Sequence, residues 1–155
     1  MPTEQTIKKE QDQVSIIPVY PEEVSRYWPL VHFMIAEAIK YGGSYAEPKH
    51  IKEELEQDRM QLFIMFGVDD DGENKVFGCM TTRIYANPNF DELQACICTG
   101  KKMHLWIENL INSLEKFAKD NGCKRICMLG RPGYKKFVSP HGWKVKHYEY
   151  QKELA

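Results

Sequence analysis

The chain has 155 residues, 43% hydrophobic and 28% charged, which is enough to bury one core of ordinary globular size. Lys and Arg total 21 against 22 Asp and Glu, a net charge of -1 that speaks against broad nucleic-acid binding. No apolar run reaches the ~18–20 residues of a membrane helix, and residues 1–13 lack the apolar core of a secretion signal, so the expectation is a cytoplasmic protein with no membrane partner.

Residues 1–13 read as a polar, flexible arm and 14–155 as a single domain. Val14 to Val19 is a β-branched run that predicts a first strand. Pro21-Glu22-Glu23 opens a helix, because Pro suits the first turn and acids suit the positive end of the dipole. Val24, Trp28, Val31, Ile35 and Ile39 recur along it at helical spacing, Pro29 is expected to kink or split it, and Gly42-Gly43 to stop it. Pro48 to Asp58 is a second, charged helix with Ile51 and Leu55 as its apolar stripe. Leu62 to Val68 is a strand too apolar to expose either face, and Val76 to Tyr85 is its return partner. The acidic Asp69-Asp70-Asp71-Gly72-Glu73-Asn74 between them is a hairpin turn. A calcium loop would need a Glu where Gly78 stands.

Asn87-Pro88-Asn89 breaks the chain before a fourth strand, Leu93 to Thr99. Met103 to Asp120 is the clearest helix, with Leu110, Leu114 and Phe117 on one face and Asn121-Gly122 as its cap. Arg125 to Leu129 is a short buried strand, Tyr134 to Val138 a short helix, and Gly142-Trp143 leads into a final strand, Lys144 to Gln151. The order β-α-α-β-β-β-α-β-α-β predicts an α/β fold. Its central sheet would be mixed but mostly antiparallel, flanked by helices, with one parallel strand-helix-strand crossover over 93–129, right-handed by default.

The five cysteines lack the spacing of a zinc site, and reduced thiols packed as small hydrophobes are expected, with no metal. A helix that starts straight off a strand at Thr99-Gly100-Lys101-Lys102 offers free N–H groups and a positive dipole end to a phosphate; the plain alternative is a turn with solvated lysines. Arg131 follows the fifth strand, where α/β sheets bind ligands, and suits either an anion or a salt bridge that holds the turn. His104 near the suspected seat and His141 before Gly142 read as structural or surface residues. Tyr148 and Tyr150 with Lys144 and Lys146 make a basic-aromatic strand face, either a contact surface or an edge guarded by lysines.

Two segments carry a family resemblance. Tyr134-Lys135-Lys136-Phe137-Val138-Ser139-Pro140-His141-Gly142-Trp143 resembles the fourth helix and the following Gly-Phe signature of the GNAT acyl-CoA N-acyltransferases. The run Trp106 to Cys123, with Leu114-Glu115-Lys116-Phe117-Ala118-Lys119-Asp120-Asn121-Gly122-Cys123, resembles that family's long third helix and the turn after it. The resemblance implies transfer of an acetyl group from acetyl-CoA to an amine acceptor. It places the cofactor on Cys98, Thr99, Gly100, Lys101 and Lys102, a loop that keeps one of the family's two small residues. It implies a base, for which Glu92 (with Asp91 beside it) is best placed, and an acid for the leaving thiolate. Val138 stands where the family's Tyr stands, and Tyr134 is the phenol one helical turn away. The two segments are also similar to short GNAT-like proteins of tailed bacteriophages. That likeness implies an alternative without catalysis: a virion component or binding module whose partners are phage structural proteins.

Overall fold

Among the described residues, five strands join edge to edge in the order in which the chain makes them. The structure is a computed structural model and describes residues 3, 14–42 and 46–154. The expected arm over 1–13 therefore lies outside the described residues apart from Thr3, as does Gly43. Strands β1 (Val14–Val19), β2 (Gln61–Val68), β3 (Asn74–Ala86) and β4 (Asp91–Gly100) pair antiparallel, and β5 (Cys123–Met128) pairs parallel to β4. Helices α1 (Val24–Gly42) and α2 (Pro48–Glu56) come between β1 and β2, α3 (Ile107–Asp120) between β4 and β5, and the one-turn α4 (Lys135–Val138) after β5. Among the described residues no helix is long and apolar enough to cross a membrane.

Each face of the sheet has its own core. Phe63, Met65, Met80 and Leu93 meet Trp106, Leu110 and Leu114 on the α3 side. Leu62, Ile64 and Cys79 meet Val31, Ile35 and Leu55 on the α1–α2 side. This is why β2 reads as an unbroken apolar run: alternate side chains enter opposite cores, each worth roughly 1.5–3 kcal/mol of burial.

Three local expectations are corrected. Helix α1 continues unbroken through Pro29, so it is not split there. The proline costs one backbone bond, but buried Val24, Val31 and Ile35 flank it and hold the helix to the sheet. The helix expected from Met103 is broken: Met103–Leu105 is a 3-10 turn, and Trp106 leaves helical geometry at φ -131 before α3 begins. The cause is Trp106 itself, 1% exposed, whose indole N–H donates to the Lys101 carbonyl at 2.8 Å.

The third correction concerns the carboxyl end. The strand expected over Lys144–Gln151 does not form, and its side chains stand in solvent, Tyr150 at 92% exposure. Along an extended chain Lys144, Lys146, Tyr148 and Tyr150 share one face, and Val145, His147, Glu149 and Gln151 share the other. Neither face is apolar enough to drive docking on the sheet.

Candidate functional site

Strand β4 outruns its parallel neighbour. The last residue pairs between them are Gln94 with Cys127 and Ala95 with Met128, after which β5 ends and β4 continues to Gly100. On its other side β4 stays paired to β3, where Thr81 faces Ile97 and Thr82 faces Ala95. Cys96 is thus an extra residue, a bulge at the point where the two parallel strands part. A bulge bends its strand and sharpens the local twist. The result is a fork with Cys96 to Gly100 on one prong and the turn after β5 on the other.

Tyr134 reaches into this fork. Its hydroxyl donates to the Cys98 carbonyl at 2.8 Å and so replaces the missing strand partner at that residue. Burial, with the Cys98 contact added, pushes the phenol up to about 12, and burial pushes the Cys98 thiol up to about 12 as well. The hydroxyl therefore holds its proton throughout the neutral range, next to the main chain of β4.

Glu92 stands below the fork on the face that α1 packs across. Alternation along β4 sends Leu93 and Ala95 into the α3 core and leaves Glu92 and Gln94 on the α1 side. Its carboxylate is 15% exposed and has both oxygens engaged. Cys127 donates Sγ–H to Oε1 at 2.8 Å, and Arg125 donates Nε–H to Oε2 at 2.6 Å. The Cys127 hydrogen bond, followed by the Arg125 guanidinium, holds Glu92 below the usual carboxylate value against the opposing effect of burial. Burial first, then the Glu92 carboxylate, pushes the Cys127 thiol up to about 12. Arg125 itself lies over the Phe90 ring at 4.7 Å.

The turn after β4 is arranged differently from a bare phosphate cradle. Gly100 has φ +154, and a Cβ there would lie 2.4 Å from the Phe77 carbonyl oxygen, so β3 occupies the space its missing side chain leaves. The Lys101 N–H donates to that same carbonyl at 2.7 Å. Lys102 adopts a left-handed conformation and pairs with Asp70 at 3.3 Å, beside a cavity of about 190 Å³ that His104 also lines. Among the described residues no side chain caps the start of α3. Arg131 leaves the end of β5 toward α1 and lies over the Tyr41 ring at 5.1 Å, across the mouth of the fork.

The fold thus brings Cys98, Thr99 and Tyr134 together at the fork, sets Glu92 just below it, and places Arg131 at its mouth. Lys102 is turned toward the β2–β3 hairpin by Asp70. His141 closes a 3-10 turn, Ser139–His141, ahead of left-handed Gly142. Sequence reasoning missed Cys127 and Arg125 as partners of Glu92, because a parallel pairing across an intervening helix leaves no local spacing signal. The alternation Arg125, Cys127 opposite Glu92, Gln94 was the available clue.

No family model and no curated protein matches the sequence. Solved structures do match. A probable acetyltransferase superposes with a TM-score of 0.66 at 12% identity, over 91% of this chain and 98% of that one. An aminoglycoside acetyltransferase from an uncultured soil metagenomic sample, in complex with sisomicin, gives 0.61 at 12% identity over 92% and 98%. A GNAT family acetyltransferase of Staphylococcus aureus gives 0.60 at 14% identity over 92% and 99%. At these identities the likeness is one of fold: the chain has the GNAT acetyltransferase fold over nearly its whole length.

Proposed function

We propose that the protein is an N-acyltransferase that takes an acetyl group from acetyl-CoA and delivers it to an amine. The observation that carries this reading is the fork, where Cys96 to Gly100 run past the end of β5 behind the Cys96 bulge. A bulged half-strand with an unpaired edge is the natural partner for an extended, amide-bearing chain such as pantetheine, which pairs with it as a strand would.

The residues fit the donor in part. Cys98 and Thr99 offer main-chain groups to the pantetheine amides once Tyr134 yields its hold on the Cys98 carbonyl. Lys101, Lys102 and Arg131 supply positive charge near the turn for the pyrophosphate. Gly100 keeps the turn close to β3 and contributes no cradle of its own. On this reading the protonated Tyr134 hands a proton to the leaving thiolate, and Glu92, held ionised, accepts one on the acceptor side. The five free thiols fit a reducing compartment, the cytoplasm.

Calorimetry with acetyl-CoA tests the reading. Binding that weakens in Arg131→Ala supports it; no heat and no thermal shift at millimolar ligand overturns it. A second reading is favoured by the Lys101 N–H and the Gly100 space being spent on β3, and by both Glu92 oxygens being engaged. On it the fold is kept without turnover, as a binding module or virion component. It expects no response to acetyl-CoA and stoichiometric copurification with phage particles.

A further inference from the structure

Cys127 is a nucleophile that neither reading uses. Its thiol donates to Glu92 Oε1 at 2.8 Å, and Arg125 grips Oε2 of the same carboxylate at 2.6 Å from above the Phe90 ring. A nucleophile, a base within hydrogen-bond reach and a third group that orients the base are the parts of an activated-nucleophile site. The location matters as much as the composition. Cys127 faces Gln94 in the next-to-last pair before the strands part, on the α1 side that it shares with Glu92. A donor whose chain lies along Cys96 to Gly100 ends at the fork, one residue pair from this thiol.

The geometry points to Cys127 as a covalent acyl acceptor, a thiol that receives the acyl group from a thioester donor before an amine takes it. This inference rests on the acyl-CoA reading for its natural donor. In the first step Cys127 Sγ attacks the thioester carbonyl carbon while Glu92 takes the thiol proton. The bond from that carbon to the donor sulfur breaks, Tyr134 gives its proton to the donor sulfur, which leaves as a thiol, and the proton on Glu92 is released to solvent, from which Tyr134 recovers its own. One thioester is exchanged for another, and nothing is oxidised or reduced. In the second step the amine nitrogen attacks the Cys127 thioester, an amide forms, and the amine's proton returns through Glu92 to Sγ.

This arrangement also accounts for a carboxylate whose oxygens are already occupied: the group on Oε1 is the one whose proton it removes. Burial and the neighbouring carboxylate keep the resting thiol protonated. The site therefore works by proton removal during bond formation and not through a standing thiolate.

The test is intact-protein and peptide mass spectrometry of the full chain after incubation without amine. One arm uses acetyl-CoA, and a second uses the acetyl thioester of N-acetylcysteamine, which carries no phosphate. The expected result is a single acetyl group on Cys127, released by neutral hydroxylamine. It is absent in Cys127→Ala and Cys127→Ser and retained in Cys123→Ala, whose thiol lies in the α3 core. Glu92→Gln is expected to slow its formation by about 10²–10⁴-fold. Labelling by the small thioester without any response to acetyl-CoA supports Cys127 and overturns the CoA reading. No acetyl on Cys127 from either donor, or acetyl on other residues alone, overturns the proposal even where calorimetry detects acetyl-CoA binding.

Discussion

Gly78 and Gly100 face each other across β3 and β4, and each leaves room for the other's main chain. A Cβ on Gly78 would sit 2.5 Å from the Thr99 carbonyl oxygen, and one on Gly100 would sit 2.4 Å from that of Phe77 and 2.6 Å from Gly78 Cα. Substitution at either position must push the strands apart. Gly78→Ala and Gly100→Ala are each expected to cost about 1–3 kcal/mol of stability, measured as a lower urea midpoint. A Gly100 that served only a bound phosphate would leave Gly100→Ala at wild-type stability in the absence of ligand, which separates the two roles.

Tyr134 is expected to separate binding from turnover. Tyr134→Phe removes the hydrogen bond to the Cys98 carbonyl, a loss of about 1 kcal/mol in stability. Acetyl-CoA affinity should hold or tighten, because β4 no longer has to release a partner. Turnover should fall by about 10²-fold or more if the phenol is the acid. Burial holds this phenol protonated, so its ionisation should leave no falling limb in the pH–rate profile from about pH 7 to about pH 10. An unchanged kcat in Tyr134→Phe would remove it from the chemistry.

Thr81 offers a prediction in the opposite direction. It is fully buried on β3, and its hydroxyl oxygen has no hydrogen-bond partner among the described residues. Thr81→Val keeps the shape and deletes the unpaired group, so the variant should gain about 1 kcal/mol or more. Thermal denaturation checks it, and a lower Tm would mean that the hydroxyl is satisfied in solution.

Acid stability should be set partly by Glu54, which ties α2 to β3. It pairs with Arg59 at 2.8 Å and with Arg83 at 2.6 Å, and the Arg59 hydrogen bond holds its carboxyl below the usual value. A carboxyl depressed on folding stabilises the native state above its unfolded pKa and loses that contribution as pH falls through the folded one. Glu92 has the same sign. Glu54→Gln should therefore lower the urea midpoint near neutrality and flatten its decline between about pH 5 and about pH 3.

Much of the architecture was legible because it rests on local patterning. The unbroken apolar run of β2, the acids and proline before α1, and the stripe of α3 each announce their element. The errors have equally local causes. Trp106 breaks a helix because its indole seeks the Lys101 carbonyl, a contact no periodicity encodes. Lys144–Gln151 was read from alternation without an apolar face to bury. The site was legible only in part. Glu92, Cys98 and Tyr134 stand out along the chain, but the pairing of Glu92 with Cys127 and Arg125 depends on the register of two parallel strands separated by α3. The structural reason for Gly100 lies on β3, not in its own loop.

The chain-order sequence of strands has a consequence for how the protein is assembled. β2 to β4 are joined by antiparallel pairings across short turns over 69–73 and 87–90, a low-entropy meander that can zip up early. The β1–β2 seam spans α1 and α2, and the parallel β4–β5 seam spans α3 and closes only once that crossover helix has formed and docked. The β4–β5 seam is thus a late-closing joint, and its opening would leave the pairings from β1 to β4 in place. The fork sits at the end of this joint, so the breathing that a threaded donor chain requires falls where native-state hydrogen exchange should find the sheet weakest.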